Sequence, residues 1–229
     1  MIEEKDVSEE ERWHFERLAL QCLKGLKKRN LMGYYFTSRN EAKGHVLRTI
    51  PSDATIGFGD SVTLYQIGVI EALQDRGQKI ISAYWKDGKV YFPSTKKEVV
   101  RVGREALFAD YFLAGINALT LDGEVVNTDG TGNRLAGIIF GPRKVILVAG
   151  VNKIVANVEQ ALGRIKEVAA PLNARRHHVK HGMETTPPCA QIGMCVDCRS
   201  NRMCCFTLII EHQITPRIEV VLIGERLGL

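Results

Sequence analysis

Apolar residues recur along this chain with two alternating periods, one helical and one of two residues. Between residues 9 and 29, Phe15, Leu18, Cys22 and Leu26 fall three or four positions apart and mark one face of a helix. Ser38 followed by Glu41 has the form of a capping box, so a second helix is expected to run to Ile50 and stop at Pro51. Residues 54–58 read as a short buried strand. Leu64, Ile67, Ile70 and Leu73 then place a helix over residues 64–76, and residues 80–82 form a strand. Residues 86–97 turn polar and irregular, as in a mobile loop, before a helix over 98–109 and a short strand over 112–114. Residues 118–121 and 124–126 flank Asp122-Gly123, a strong hairpin signal. After a glycine-bearing stretch at 127–134 a helix starts, and Gly141-Pro142 stops it. The β-rich apolar run at 144–149 suits a central parallel strand, and a helix follows over 158–168.

Strands joined by short helical crossovers predict an α/β fold, an open and mostly parallel sheet flanked by helices. The expected organisation is one domain over residues 1–229. Its parts are N-terminal helices (1–50), a sheet core with ligand loops (51–174), a His/Cys-rich segment (175–206) and C-terminal strands (207–229).

Ligands of such sheets bind at the carboxyl ends of strands. Three polar, glycine-bearing segments fall there, and their chemistry suits an anion. Gly57 and Gly59 let a backbone approach a phosphate or carboxylate; Asp60 follows, and Ser61 and Thr63 offer hydroxyls at a helix start. Asn127, Asp129, Gly130, Thr131, Gly132, Asn133 and Arg134 add an amide and a fixed cation, and Asn152 and Lys153 a mobile one. The alternative for 129–132 is a turn and helix cap alone. The 57–63 loop is neither a phosphate-binding Walker loop nor a dinucleotide fingerprint. No nucleophile elbow or zinc-protease motif occurs, so the spacing names no catalytic residue.

Five of the six cysteines, Cys189, Cys195, Cys198, Cys204 and Cys205, fall within seventeen residues. Their core spacing is C-x5-C-x2-C-x5-C, and a Cys-x-x-Cys pair places two thiolates on one tight loop. Four sulfurs from Cys189, Cys195, Cys198 and Cys204, with Cys205 as the alternative fourth, suit tetrahedral zinc or an iron–sulfur cluster. A redox-active Cys195/Cys198 pair and incidental buried thiols are the other readings. His177, His178 and His181 lie close enough upstream to replace one cysteine.

At 229 residues and 45% hydrophobic content the chain can bury a full core. A net charge of +5 and a pI near 8.9 allow an anionic ligand. The basic residues are scattered without interleaved aromatics, so nucleic acid is not the expected partner. No apolar run reaches membrane-span length. The polar start Met-Ile-Glu-Glu-Lys-Asp lacks a signal-peptide core, which leaves a cytoplasmic protein with reduced thiols as the expectation. The apolar faces of the first helices either cover the sheet or pair with a second subunit as a homodimer.

One long block gives a resemblance. Residues 117–134 (Asn-Ala-Leu-Thr-Leu-Asp-Gly-Glu-Val-Val-Asn-Thr-Asp-Gly-Thr-Gly-Asn-Arg), with 138–145 and 148–153, resemble the LUD-domain family of lactate-utilisation proteins. Residues 57–64, 170–174 and the cysteine segment extend the match over nearly the whole chain. The resemblance implies a fold similar to the sugar-isomerase and CoA-transferase superfamily. It also implies a bacterial or archaeal protein linked to oxidation of lactate or a related acid, working with redox partner subunits. The repeated ferredoxin-like cysteine motifs of those subunits are absent here, and no glutamate matches the CoA-transferase nucleophile. The expected ligand is a small organic acid or a phosphorylated metabolite. The alternatives are a zinc-stabilised binding protein and an isomerase or transferase of a phosphorylated or CoA-linked acid.

Overall fold

The computed structural model describes residues 4–93, 95–182 and 186–229. Met1–Glu3 of the polar start, Ser94 of the expected loop and residues 183–185 of the His/Cys-rich segment lie outside the described residues.

Helix α1 (Ser8–Lys28) leads into strand β1 (Met32–Phe36) and helix α2 (Arg39–Thr49), whose Ser38–Glu41 capping box is formed. Strand β2 (Ile56–Phe58) is followed by α3 (Val62–Ile67) and α4 (Val69–Asp75). The sequence predicts one helix across these two; Gly68, at φ +63°, breaks it with a left-handed residue. Strand β3 (Ile80–Ile81) precedes a small hairpin, β4 (Trp85–Lys86) and β5 (Lys89–Val90), within the stretch expected to be irregular. Then come α5 (Lys96–Ala106), β6 (Tyr111–Gly115), β7 (Ala118–Thr120), β8 (Val125–Asp129), α6 (Asn133–Ile139) and β9 (Lys144–Gly150). A 3-10 turn (Val151–Lys153), β10 (Ile154–Val155), α7 (Val158–Arg164), a π-helical stretch (Ile165–Ala169) and α8 (Ala170–His181) follow. The chain closes with α9 (Cys189–Ile192), β11 (Phe206–Ile210) and β12 (Ile218–Ile223).

Six strands form a wholly parallel sheet in the order β1-β12-β9-β6-β2-β3, the expected open α/β arrangement. Strand β9 is central, and its alternation is that of a strand covered on both faces. Val145, Leu147 and Ala149 join α1 and α6 on one side, while Ile146 and Val148 join α2, α3 and α4 on the other. A second, mixed sheet, β10-β7-β8-β11, contains the expected antiparallel hairpin of β7 and β8, with Gly123 at φ +88° in its turn. A Cβ at either Gly25 or Gly123 would collide, because the backbones of α1 and this turn touch there. Helix α7 covers the sheet with Ala161, against Ala118 and Val126. Among the described residues no helix is long and apolar enough to cross a membrane.

Candidate functional site

Strands β2, β6 and β9 end side by side; the ends of β2 and β9 carry two of the three segments singled out from the sequence, and the third, 127–134, follows β8 of the second sheet and reaches them through Arg134. After β2, Ser61 caps α3 by accepting from the Leu64 amide at 3.4 Å. After β6, a Cβ at position 115 would lie 2.9 Å from Ser61 Oγ and 3.7 Å from Thr63 Oγ1, so glycine lets this hydroxyl pair sit against the strand end. After β9, the 3-10 turn delivers Lys153, whose Nζ donates to Thr63 Oγ1 at 3.0 Å. Lys153 is 3% exposed and has no carboxylate partner among the described residues. Burial, and then the charges of Arg164 and Arg134, push its pKa down to about 7.

Arg134, in the first turn of α6, runs beside Gly59 and is held by four acceptors. Its Nη1 donates to Asn127 Oδ1 (2.8 Å) and Gly115 O (3.3 Å), and its Nη2 to Thr128 O (2.6 Å) and Asn117 Oδ1 (3.3 Å). Asp129 fixes the turn by accepting from the amides of Gly130 (2.7 Å) and Arg134 (3.1 Å). Gly132, at φ +85°, caps α6, and a Cβ there would touch the Phe206 ring. Arg164 reaches in from the end of α7, where its Nε donates to Asn152 O and its Nη1 to Asn117 O. The helix changes to π geometry at the next residue, a change often found at functional sites. Burial lowers the pKa of both arginines from the ordinary guanidinium value, with Asp129 and Tyr84 opposing the shift for Arg134. Tyr84 is pushed up to about 12 by burial and then by Asp129.

Other expected site residues stand farther from this cluster of cations. Gly57 packs under α5, where a Cβ would lie 2.6 Å from Ala106 O. Asn133 rests against Gly103, and Thr131 is exposed. Asp60 turns to α8, where Arg176 takes its carboxylate and His177 Nε2 lies 3.3 Å away. Burial and Arg176 hold His177 neutral, with its pKa pushed down to about 4. Phe92 stacks on His181 at 4.0 Å and meets His177 and Tyr84 edge-on, walling this side. Asn152 holds the C-terminal strap by accepting from the Leu227 amide at 3.0 Å, and Gln66 accepts from the Gly228 amide at 2.6 Å. A Cβ on Gly228 would fall 2.3 Å from Thr63 Oγ1 and 2.5 Å from Lys153 Nζ, so the strap lies directly on the site. Surface depressions occur along α1, at Leu20 and Lys24, and beside Arg29 and Asp122, away from this cluster.

The sequence reading missed Asn117, Arg164, Tyr84, Arg176 and Gly228. Asn117 alone carried a signal, as the first polar residue of the long central block.

The cysteine segment meets this site through one loop. Strand β11 pairs antiparallel with β8, opposing Phe206 to Asp129, and the Cys205 amide donates to Asp129 O at 2.9 Å. A Cβ at Gly130 would lie 2.8 Å from Met203 O. Cys189 begins α9, buried against Ala174 and Ala190. Cys189, Cys195, Cys198 and Cys204 stand within electrostatic reach of one another. Burial and then the other three thiols push Cys204 up to about 11, and burial and then Cys198 and Cys195 raise Cys189. Cys205 is exposed, its Sγ only 3.7 Å from Arg202 O. Asp197 and Asn201 hold left-handed backbone at φ +48° and +54°, and the Asp197 amide donates to Cys195 Sγ at 3.4 Å. Among the described residues no three His, Cys, Asp or Glu side chains converge to metal-ligand geometry.

The sequence matches the LUD-domain profile over residues 20–223. A DUF162-family protein from Deinococcus radiodurans has a similar fold, with 13% identity, a TM-score of 0.51, and coverage of 92% of this chain and 98% of that one. Ribose 5-phosphate isomerase A from Neisseria gonorrhoeae is similar over 63% of this chain and 65% of its own, with 18% identity and a TM-score of 0.34. eIF2B delta from Chaetomium thermophilum is similar over 55% of this chain and 50% of its own, with 16% identity and the same TM-score of 0.34. No curated protein sequence matches the chain significantly.

Proposed function

The chain belongs to the LUD-domain family, and we propose that it serves organic-acid utilisation of the lactate type. In this reading a small carboxylate anion binds where β2, β6 and β9 end, and the four thiols hold an iron–sulfur cluster or zinc. One observation carries the anion reading: the polar groups left over around Lys153 all donate. Asn127 is fully buried; its Oδ1 accepts from Arg134 and the Asn117 amide, yet its Nδ2 has no partner among the described residues. Lys153 uses one N–H on Thr63, and Arg164 Nη2 bonds nothing among the described residues. Ser61 and Thr63 already accept and still have hydroxyl protons to give. An unpaired buried donor costs about 1–3 kcal/mol, and a ligand made of acceptors relieves that cost. The nearby Asp129 carboxylate is turned to backbone amides, which leaves the site net cationic.

The donor chemistry of the second site fits a soft metal. Cys189, Cys195, Cys198 and Cys204 would hold it, on a segment that has little regular structure. An iron–sulfur cluster would supply one-electron transfer; zinc would supply folding energy alone.

The test is to purify the protein without oxygen, determine iron, acid-labile sulfide and zinc, and titrate it calorimetrically with L-lactate, pyruvate and inorganic phosphate. Iron with sulfide makes the cysteine segment a redox centre, and zinc without colour makes it a structural clip. Carboxylate binding that weakens at least about tenfold in Asn127→Asp supports the anion site, since the change replaces a donor by an acceptor. Absence of carboxylate binding overturns it.

A further inference from the structure

We propose that Lys153 is a nucleophilic amine that forms an imine with the carbonyl carbon of a 2-oxo acid bound at the strand ends. This inference rests on the carboxylate-binding reading of that site and adds a substrate class and a covalent step to it.

A buried lysine that serves only as a cation is normally paired with an acid. Lys153 has instead one hydroxyl at 3.0 Å and two guanidinium groups within electrostatic reach, those of Arg164 and Arg134. Such surroundings favour the neutral amine, and its lone pair is what attacks a carbonyl. The same guanidiniums account for the acid group of the substrate. In a 2-oxo acid the carboxylate is bonded directly to the carbonyl carbon, so the groups that bind it must stand next to the nucleophile. For that role Arg164 offers Nη2 donors that bond nothing among the described residues, from an anchor fixed at Asn117 O and Asn152 O. A 2-hydroxy acid offers the same carboxylate but no electrophilic carbon, so it would bind without reacting.

The step balances without a co-reactant. The Nζ–C bond forms as the carbonyl π bond breaks, and the oxygen takes up a proton given by the amine. Thr63 Oγ1, already hydrogen-bonded to Nζ, can relay that proton. The carbinolamine then loses its hydroxyl as water together with the second amine proton, leaving the imine; nothing is oxidised or reduced. Entry of the ligand requires the strap to lift, because Gly228 lies directly over Nζ, and the strap is held there by the amide bonds of Leu227 to Asn152 and of Gly228 to Gln66.

The experiment uses the intact, anaerobically purified protein, incubated with pyruvate and cyanoborohydride and then mapped by peptide mass spectrometry. The hydride reduces any imine to a stable N-carboxyethyl lysine. The expected result is modification of Lys153 at least about tenfold faster than the average surface lysine, lost in urea and absent from the corresponding peptide of the Lys153→Arg variant. Competition by L-lactate should slow it. Calorimetric binding of pyruvate with no adduct at Lys153 would overturn the imine and leave the carboxylate site standing. Failure of both pyruvate and L-lactate to bind overturns both readings. Modification at one uniform rate across all lysines also overturns the imine.

Discussion

The strand-end site and the cysteine segment share the Asp129–Gly130 turn but are organised in opposite ways. The first is assembled by the core. Its polar groups stand at the ends of buried strands, on the 3-10 turn after β9 or at a helix terminus, and Arg134 alone joins four acceptors from two segments, 115–117 and 127–128. Its geometry is therefore set before any ligand arrives, which is the condition for electrostatic work in a low-dielectric place. The second has fixed ends and a loose middle. Cys189 is anchored by α9 and Cys204 sits beside the start of β11, while Cys195 and Cys198 lie on a stretch with two left-handed non-glycine residues. Packing alone does little to hold such a stretch, so a bound metal would provide its missing core.

That contrast is most severely tested through the metal proposed for the second site. Cys198→Ser, or a strong chelator, is expected to abolish metal content and destabilise the cysteine segment by roughly 5 kcal/mol or more, with proteolysis beginning at residues 186–204. The six-stranded sheet should keep its amide protection. If the sheet melts with the segment, the two regions are one cooperative unit and the contrast fails.

Lys153 gives the next largest effect, with the opposite sign. Its folded pKa of about 7 lies below the ordinary lysine value of 10.5. Between those two pH values the unfolded chain binds a proton that the folded chain does not, so stability rises with pH across that window and the penalty is complete below it. Without ligand, Lys153→Met is therefore expected to stabilise the protein by roughly 3 kcal/mol at pH 7, about 6–12 °C in Tm. The gap should close as pH approaches 10.5. Thermal melts at several pH values would show it, and a gap independent of pH would mean that Lys153 is not held neutral.

How much of this could be read in the sequence follows from how local each feature is. The Ser38–Glu41 box and the alternation of β9 are set by neighbours within a few residues, and both formed as expected. Strand β1 (Met-Gly-Tyr-Tyr-Phe) is half-buried on both faces and shows no alternation, so it gave no signal. The break at Gly68 depends on a left-handed φ that a helical pattern of apolar residues does not reveal. The His-rich stretch at 175–181 continues as helix because α8 buries Ala174 and His177. The site divides in the same way. Ser61, Thr63, Arg134 and Lys153 sit in glycine-bearing strand ends that sequence can flag. Arg164 and Gly228 reach the same cluster from α7 and from beyond β12, and only the assembled sheet brings them there. Asp60 looked like a ligand-loop residue because its partner, Arg176, lies 116 positions away.

The junction itself is probed by Gly130→Ala. A methyl group there would stand 2.8 Å from Met203 O, a backbone atom that cannot swing aside. The expected cost is about 1–3 kcal/mol, together with weaker metal retention if Cys204 is displaced with Met203. Metal content and Tm measured on the same preparation would separate the two effects.

The smallest expected effect is the most discriminating for the cysteine segment. Cys204 and Cys205 are adjacent in sequence, and spacing alone gives either as the fourth thiol. Burial divides them: Cys204 faces Cys189, Cys195 and Cys198, while Cys205 is exposed and spends its backbone amide on Asp129 O. Serine at 205 keeps that amide and removes only an exposed sulfur, so Cys205→Ser should retain full metal content and change stability by less than about 0.5 kcal/mol. Cys204→Ser should lose the metal as Cys198→Ser does. Equal loss in both variants would mean that the segment turns over on binding, and that the pairing of Phe206 with Asp129 does not persist in the loaded protein.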